Sequence, residues 1–158
     1  MQCGTRRRSI RFMVRPGSRR SRVLLACTAE GASTLRHALA GLDAEISCAY
    51  SKEEALASVD DVDVVVCGLR FDESRMLDLV AQLARERPHL PLVCCHVVES
   101  DLPEPSLDAA FTVADHLGAV AVLDMTELAR RLGTARAEES LRAAVVSHLH
   151  DVGHASMS

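Results

Sequence analysis

The segment Val62-Asp-Val-Val-Val-Cys-Gly68 limits the possible folds of this chain more than any other stretch. After Asp63 it is continuously apolar, so neither side of an extended backbone here suits water. A strand of this kind belongs in the middle of a parallel sheet, covered on both faces. Such a sheet needs helices above and below it, which the rest of the sequence must supply.

Short apolar runs alternate with helical patterns along the chain. Arg22-Val-Leu-Leu-Ala-Cys27 reads as a first strand, and Thr34 to Leu42 as a helix with Leu35, Leu39 and Leu42 on related faces. Glu45-Ile-Ser-Cys-Ala49 alternates like a strand at a sheet edge. Ser51 caps a helix over Lys52 to Val59, with Glu54 where a capping box expects it. Beyond Gly68, Met76, Leu79, Val80 and Leu83 recur at steps of three and four, making an amphipathic helix over Arg75 to Arg87. Pro88 ends it. Leu92 to Val98 is a fourth strand, and a polar loop with two prolines leads to a helix over Ser106 to Leu117 with Gly118 as its C-cap. Ala119 to Leu123 is a fifth strand, Thr126 to Leu132 a helix, and Ala137 to Leu149 a further one after a break at Gly133. Five strands alternating with helices imply an α/β, doubly wound, five-stranded parallel sheet of order 2-1-3-4-5, with helices on both faces and an extra C-terminal helix.

The chain suits one domain at 158 residues, and with aromatics at 3% and no Trp its core must be aliphatic. Charge is unevenly placed. The first 22 residues carry eight Arg and no acid, while the other 136 hold ten basic and 22 acidic side chains. Residues 1–21 read as an Arg-rich disordered arm, residues 22–149 as the domain (137–149 being the additional helix), and residues 150–158 as a flexible tail. The arm is the one segment suited to nucleic acid, so a regulator contacting nucleic acid through it is an alternative reading; the acidic body is not suited, and a nucleic-acid partner is not the leading expectation. Ser18-Arg-Arg-Ser and Leu24-Leu-Ala-Cys27 look like export signals but lack the apolar stretch of roughly 7–15 residues that export needs. No run approaches the roughly 20 apolar residues of a membrane span. No membrane contact and a cytoplasmic protein are expected.

In open α/β sheets ligands sit beyond the C-terminal ends of the strands. The residues there are Cys27 and Thr28, Gly68, His96, and Asp124 with Met125. The layout from Val62 through Pro88 to His96 resembles the middle of a response-regulator receiver domain, without a gap from Gly68 to Pro88. Arg22-Val-Leu-Leu-Ala-Cys-Thr28 resembles that family's opening strand, Ala49-Tyr-Ser-Lys-Glu-Glu-Ala-Leu56 the start of its second helix, and Leu117-Gly-Ala-Val-Ala-Val-Leu123 its fifth strand. The resemblance covers about Arg22 to Leu132. It implies the CheY-like, flavodoxin-like fold, and it implies a degenerate site. The family's Mg²⁺-binding acid pair falls at Cys27 and Thr28, its phosphorylated Asp at Gly68, its switch Ser or Thr at His96, and its lysine at Met125, or at Asp124 in a register one residue shorter. Phosphotransfer needs a hard cation on oxygen ligands and a carboxylate nucleophile, so none is expected, and no enzyme activity. Asp72 and Glu73 lie in the following loop, with Arg70 and Arg75 as flanking partners, and read as solvated acids favouring the next helix N-terminus.

The resemblance further implies a phosphorylation-independent interaction module of two-component-type bacterial signalling. Its partners would be a signalling kinase, a regulator or a second copy, met through the region Ser106 to Leu149. Leu141, Ala144, Val145 and Leu149 form a stripe that docks either on the domain itself or on another copy. A different reading is a cysteine-based redox or metal sensor using Cys67 and Cys95, with Cys27 and His96 near by. Against it, Cys94 and Cys95 must point to opposite faces of their strand. No C-x-x-C pair occurs, and buried structural thiols suit a cytosolic protein. Thr28-Ala-Glu-Gly-Ala-Ser33 is loosely similar to the phosphate-binding loop of flavodoxins, but Glu30 places a negative charge in the cradle. No cofactor is expected.

Overall fold

A computed structural model describes the backbone of residues 20–97 and 104–157. The elements in chain order are β1 (Ser21–Ala26), α1 (Ala29–Ala38), β2 (Ala44–Ala49), α2 (Lys52–Ser58) followed by a 3₁₀ turn (Val59–Asp61), β3 (Val64–Gly68), α3 (Phe71–Ser74), α4 (Met76–Glu86), β4 (Leu92–His96), α5 (Glu104–Leu117), β5 (Ala121–Asp124), α6 (Met125–Leu132) and α7 (Thr134–Met157). The five strands are parallel and lie in the order β2-β1-β3-β4-β5. That is the order expected from the sequence. The expected Arg-rich arm, apart from Arg20 and Ser21, and the loop residues 98–103 lie outside the described residues.

The central strand explains the layering. Val65 and Cys67 of β3 enter one core cluster, with Ala55 of α2, Leu79, Val80 and Leu83 of α4, and Ala114 of α5. Val64 and Val66 enter the other, with Ala32, Leu35 and Ala38 of α1 and Ala137, Leu141 and Val145 of α7. All five residues of β3 are buried. Fully burying one such aliphatic side chain stabilises the fold by roughly 1.5–3 kcal/mol, so β3 needs both helical layers.

Local signals set most element ends. Ser51 Oγ accepts from Glu54 N at 3.1 Å, and Glu54 returns its carboxylate to Tyr50 N at 2.7 Å, one residue ahead of the usual reciprocal bond. Gly118 closes α5 at φ 112°, and the next amide, Ala119 N, bonds back to Ala114 O at 3.0 Å. Other ends depart from expectation. Helix α1 begins at Ala29, five residues before Thr34, because Thr28 Oγ1 caps Gly31 N at 3.0 Å. The stretch Thr28 to Ser33 is therefore the start of a helix. The short α3 arises where Phe71, fully buried, turns the chain inward.

The C-terminal helix runs to Met157, past Leu149 where the stripe of apolar residues ends. It lies beside α1 on its own domain. Leu141 and Val145 are fully buried, with Leu149 packed against the same cluster. Arg142 donates to the carbonyl of Ala38 at 2.8 Å, satisfying one of the open acceptors at the end of α1. Of Leu141, Val145 and Leu149, expected as candidates for an interaction face, the first two are thus core positions and Leu149 is partly buried beside them, so the stripe packs on its own domain. Leu141→Ala should lower the unfolding free energy by roughly 2–5 kcal/mol, read from urea denaturation. A loss below about 0.5 kcal/mol, as at an exposed position, would show that α7 leaves the domain in solution.

Candidate functional site

The C-terminal ends of β1, β3 and β4 meet in one small recess lined by Cys27, Thr28, Gly68, Leu69, Arg70, His96 and Val97. Four of the five family-site positions read from the sequence, Cys27, Thr28, Gly68 and His96, are therefore brought together. The fifth, Met125, is buried in the core cluster beneath α6 and α7 instead. Asp124, the other position considered, is level with His96 at the end of β5, and Met125 opens the next helix.

The recess is nearly filled. Its volume is about 10 Å³, room for about one water. Cys27 closes it: a Cβ on Gly68 would stand 3.2 Å from Cys27 Cβ and 3.7 Å from Cys27 Cα. A Cβ on Gly31 would meet Thr28 Oγ1 at 3.2 Å and Val97 Cγ2 at 3.3 Å. These two glycines let the chain ends approach this closely.

The groups present do not suit a hard divalent cation. Thr28 Oγ1 is engaged as the helix cap, and Gly68 offers no side chain. Burial, followed by the neighbouring Cys48, pushes the Cys27 thiol from 9.0 up to about 12, while Arg36 opposes the rise. Asp72 is committed elsewhere, accepting from Lys52 N at 2.8 Å and pairing with Arg75 at 3.3 Å. The expected pairing of Arg75 with the loop acids is thus present. Asp72 itself holds φ 44°, a left-handed conformation that Asp tolerates better than most residues.

The remaining carboxylate at this end, Asp124, organises a polar cluster. Its Oδ1 lies 3.1 Å from His96 Nδ1, accepts Thr126 Oγ1 at 2.8 Å and caps α6 through Glu127 N at 3.1 Å. Thr126 Oγ1 is also 3.0 Å from His96 Nδ1. A bare Nδ1 would face the carboxylate lone pairs, so the proton belongs on Nδ1, shared between Asp124 and Thr126. Nε2 is then the lone-pair nitrogen, buried with no hydrogen-bond partner in the protein. The sequence reading missed Thr126 as a partner of His96. The pattern Asp124-Met-Thr-Glu127 carries the signal, an N-cap residue with Glu at the third helical position.

The cysteines are not assembled into a site. Cys67 and Cys95, the thiols of the alternative sensor reading, face opposite core clusters, and the Cys95 thiol donates to the backbone carbonyl of Cys67 at 3.6 Å. Cys67 stands level with Cys94 on β4, on the same face. Hydrogen bonding with Cys94 and then burial push the Cys67 thiol up, and burial does the same to Cys95. Among the described residues no three His, Cys, Asp or Glu side chains are grouped to hold a metal ion.

No protein-family model matches the chain, and no curated protein sequence does. Solved structures do. A response regulator receiver protein from Pseudoalteromonas atlantica superposes with a TM-score of 0.63 at 17% identity, covering 83% of this chain and 98% of that one. The chain has the receiver fold. A receiver domain from Clostridium thermocellum matches at TM-score 0.61 and 18% identity, over 83% of this chain and 95% of the other. The phosphorylated cyanobacterial phytochrome response regulator RcpA matches at 0.60 and 10%, over 79% and 91%. Within this receiver fold the recess occupies the place that the resemblance assigns to the phosphorylation site. No helix among the described residues is long and apolar enough to cross a membrane.

Two outcomes test this geometry. Asp124→Ala removes a helix cap and the carboxylate beside His96 Nδ1, leaving Thr126 Oγ1 as the ring's partner, so it should cost roughly 1–3 kcal/mol in urea denaturation; a cost near zero would dissolve the cluster. The second concerns alkali. A thiol whose folded pKa lies above its unfolded one stabilises the fold below the unfolded value, and that contribution is lost as pH rises. Stability should therefore fall from about pH 9 towards pH 12. Cys27→Ala should flatten part of that fall in pH-dependent denaturation, and an unchanged slope would assign it to other groups.

Proposed function

We propose that the chain is a degenerate receiver domain of two-component-type bacterial signalling, cytoplasmic, acting as a protein-interaction module without phosphorylation and without enzymatic activity. The observation that carries this reading is the closed recess, where the Cys27 side chain packs against Gly68. On the correspondence drawn from the sequence, the acid pair, phosphoacceptor, switch hydroxyl and lysine are replaced by Cys27 with Thr28, Gly68, His96 and Met125. A carboxylate at 68 would have neither space nor a cation partner. Burial of the thiols, with their raised pKa values, favours this reading over a cysteine-based sensor.

Function then rests on surface. With Leu141 and Val145 taken into the core, the large apolar side chains left exposed among the described residues of the region Ser106 to Leu149 are Val113 on α5, Val120 ahead of β5 and Leu132 at the end of α6. Val113 and Val120 are 43% and 45% exposed. An open groove of about 480 Å³ runs beside them, lined by Phe111, Thr112, Asp115, Val120, Ala121 and Val122. A strand edge with open backbone groups beside apolar side chains suits a protein partner: a signalling kinase, a regulator or a second copy.

Incubation with acetyl phosphate and Mg²⁺ should give no acyl-phosphate adduct by mass spectrometry, in the wild-type chain or in Gly68→Asp. An adduct on the wild-type chain would overturn the reading. In parallel, Val113→Glu with Val120→Glu should abolish co-purification of the cellular partner while the circular dichroism spectrum is unchanged. Retention of the partner would move the interface off this face.

A further inference from the structure

The opposite end of the sheet holds a larger feature that the receiver reading does not use. A groove of about 350 Å³ is lined by Val59, Asp60, Val62, Asp63, Glu86, Arg87, Pro88, His89, Leu90 and Pro91, at the entries to β3 and β4. Val59 and Pro91 are buried, and Val62 and Leu90 partly so, giving it an apolar floor. Its rim is acidic. Asp60, Asp61, Asp63 and Glu86 stand around it, against the side chains of Arg22 and Arg87, which pair with Asp61 and Asp60. Of the described residues that line it, three are carboxylates and one is an Arg.

The chain preceding the described residues enters the sheet beside this groove. Arg22 N donates to Asp63 Oδ2 at 2.9 Å, and Asp63 N donates to Arg22 O at 2.9 Å. Residue 20 is two residues from a wall of the groove. Five extended residues span roughly 17 Å, so residues 10–15 are within reach. Their sequence, Ile10-Arg-Phe-Met-Val-Arg15, alternates Ile10, Phe12 and Val14 with Arg11 and Arg15, matching an apolar floor under an acidic rim. The whole segment 1–19 carries six Arg and no acid. On the other side of β1, Arg20 pairs with Asp43 and Arg22 with Glu45.

We propose that the Arg-rich segment of this chain docks in cis into the groove between the 3₁₀ turn and the α4–β4 connection, with Ile10, Phe12 and Val14 on Val59, Val62 and Leu90 and its arginines on Asp60, Asp61 and Glu86. Docking occupies the basic segment with the protein's own acidic rim and withholds it from other anionic surfaces. Because the pairing is at the surface, it weakens as the screening length shrinks from about 8 Å at 0.15 M salt to about 3 Å at 1 M.

The test uses the full chain with a nitroxide at residue 5, Thr5→Cys in a Cys3→Ser, Cys48→Ser background; Cys27, Cys67, Cys94 and Cys95 are buried and do not label. Amide signals of Val59, Val62, Asp63 and Leu90 should broaden at low salt and recover at 1 M. Asp61→Arg with Glu86→Arg, both exposed, should remove the broadening and leave the rest of the spectrum native. Absence of broadening at low salt, or its persistence in the charge-reversed variant, would overturn the proposal. A mixture of ¹⁵N-labelled chain without nitroxide and unlabelled chain with it separates the occupants. Broadening in that mixture equal to that of the single species would assign the groove to a second copy's segment and overturn docking in cis.

Discussion

Everything in this molecule depends on the two-sided burial of β3. Four consecutive apolar residues cannot be satisfied by one layer of cover, so α1 and α7 must close one face and α2, α4 and α5 the other. Once both layers are in place, parallel connectivity puts every strand end of one kind on the same edge of the sheet. Cys27, Gly68 and His96 meet for that reason, though they are far apart in sequence. The acids ahead of β3 and the α4–β4 connection meet at the other edge for the same reason.

At the C-terminal edge the outcome is governed by volume. Gly68 and Gly31 each leave a gap, and Cys27 fills it with a small, uncharged thiol. A site that binds a charged group needs the opposite: space, polar donors and charge left unpaired until the ligand arrives. Here the hydroxyl of Thr28 is used by the helix and Asp124 by His96, Thr126 and the start of α6. Among the described residues the one buried side-chain polar atom without a partner is His96 Nε2, and His96 lines a recess of about 10 Å³. This end is closely packed and its polar groups are paired internally, which is what supports the proposed degenerate reading.

Strands, the α4 stripe and the Ser51 and Gly118 caps were legible because each rests on local chemistry: periodicity, a side-chain acceptor, a positive φ. Sheet order followed from alternation alone. The start of α1 was not legible, since Ala29-Glu-Gly-Ala32 has no apolar period and Gly31 argues against a helix; its tight seat against Val97 appears only in three dimensions. Phe71 gave no sign that it would be fully buried in a loop. Residue types at the recess were readable, but their closeness was not, because no spacing rule says how far a Cβ stands from a neighbouring strand. Likewise Leu141 and Val145 declared an apolar stripe without declaring what covers it, and burial by the domain's own sheet decided the matter. The cysteines show the same limit. Alternation separated Cys94 from Cys95, yet only register could place Cys67 beside Cys94.

The two edges of the sheet differ in what they leave available. At the C-terminal edge polar groups are paired internally and space is consumed, so little free energy remains for a ligand. At the N-terminal edge carboxylates outnumber cations, the groove is open, and the backbone of Arg22 is bonded directly to its wall. Opposite charge on flexible surface groups acts over about a Debye length, so the basic segment leaving at Arg20 begins inside the field of these acids. A receiver fold whose strand-end polar groups are paired internally can still respond to charge, provided the responsive groups sit at the other edge of the sheet. That placement keeps the buried β3 untouched, and it needs no change in the two helical layers that β3 requires.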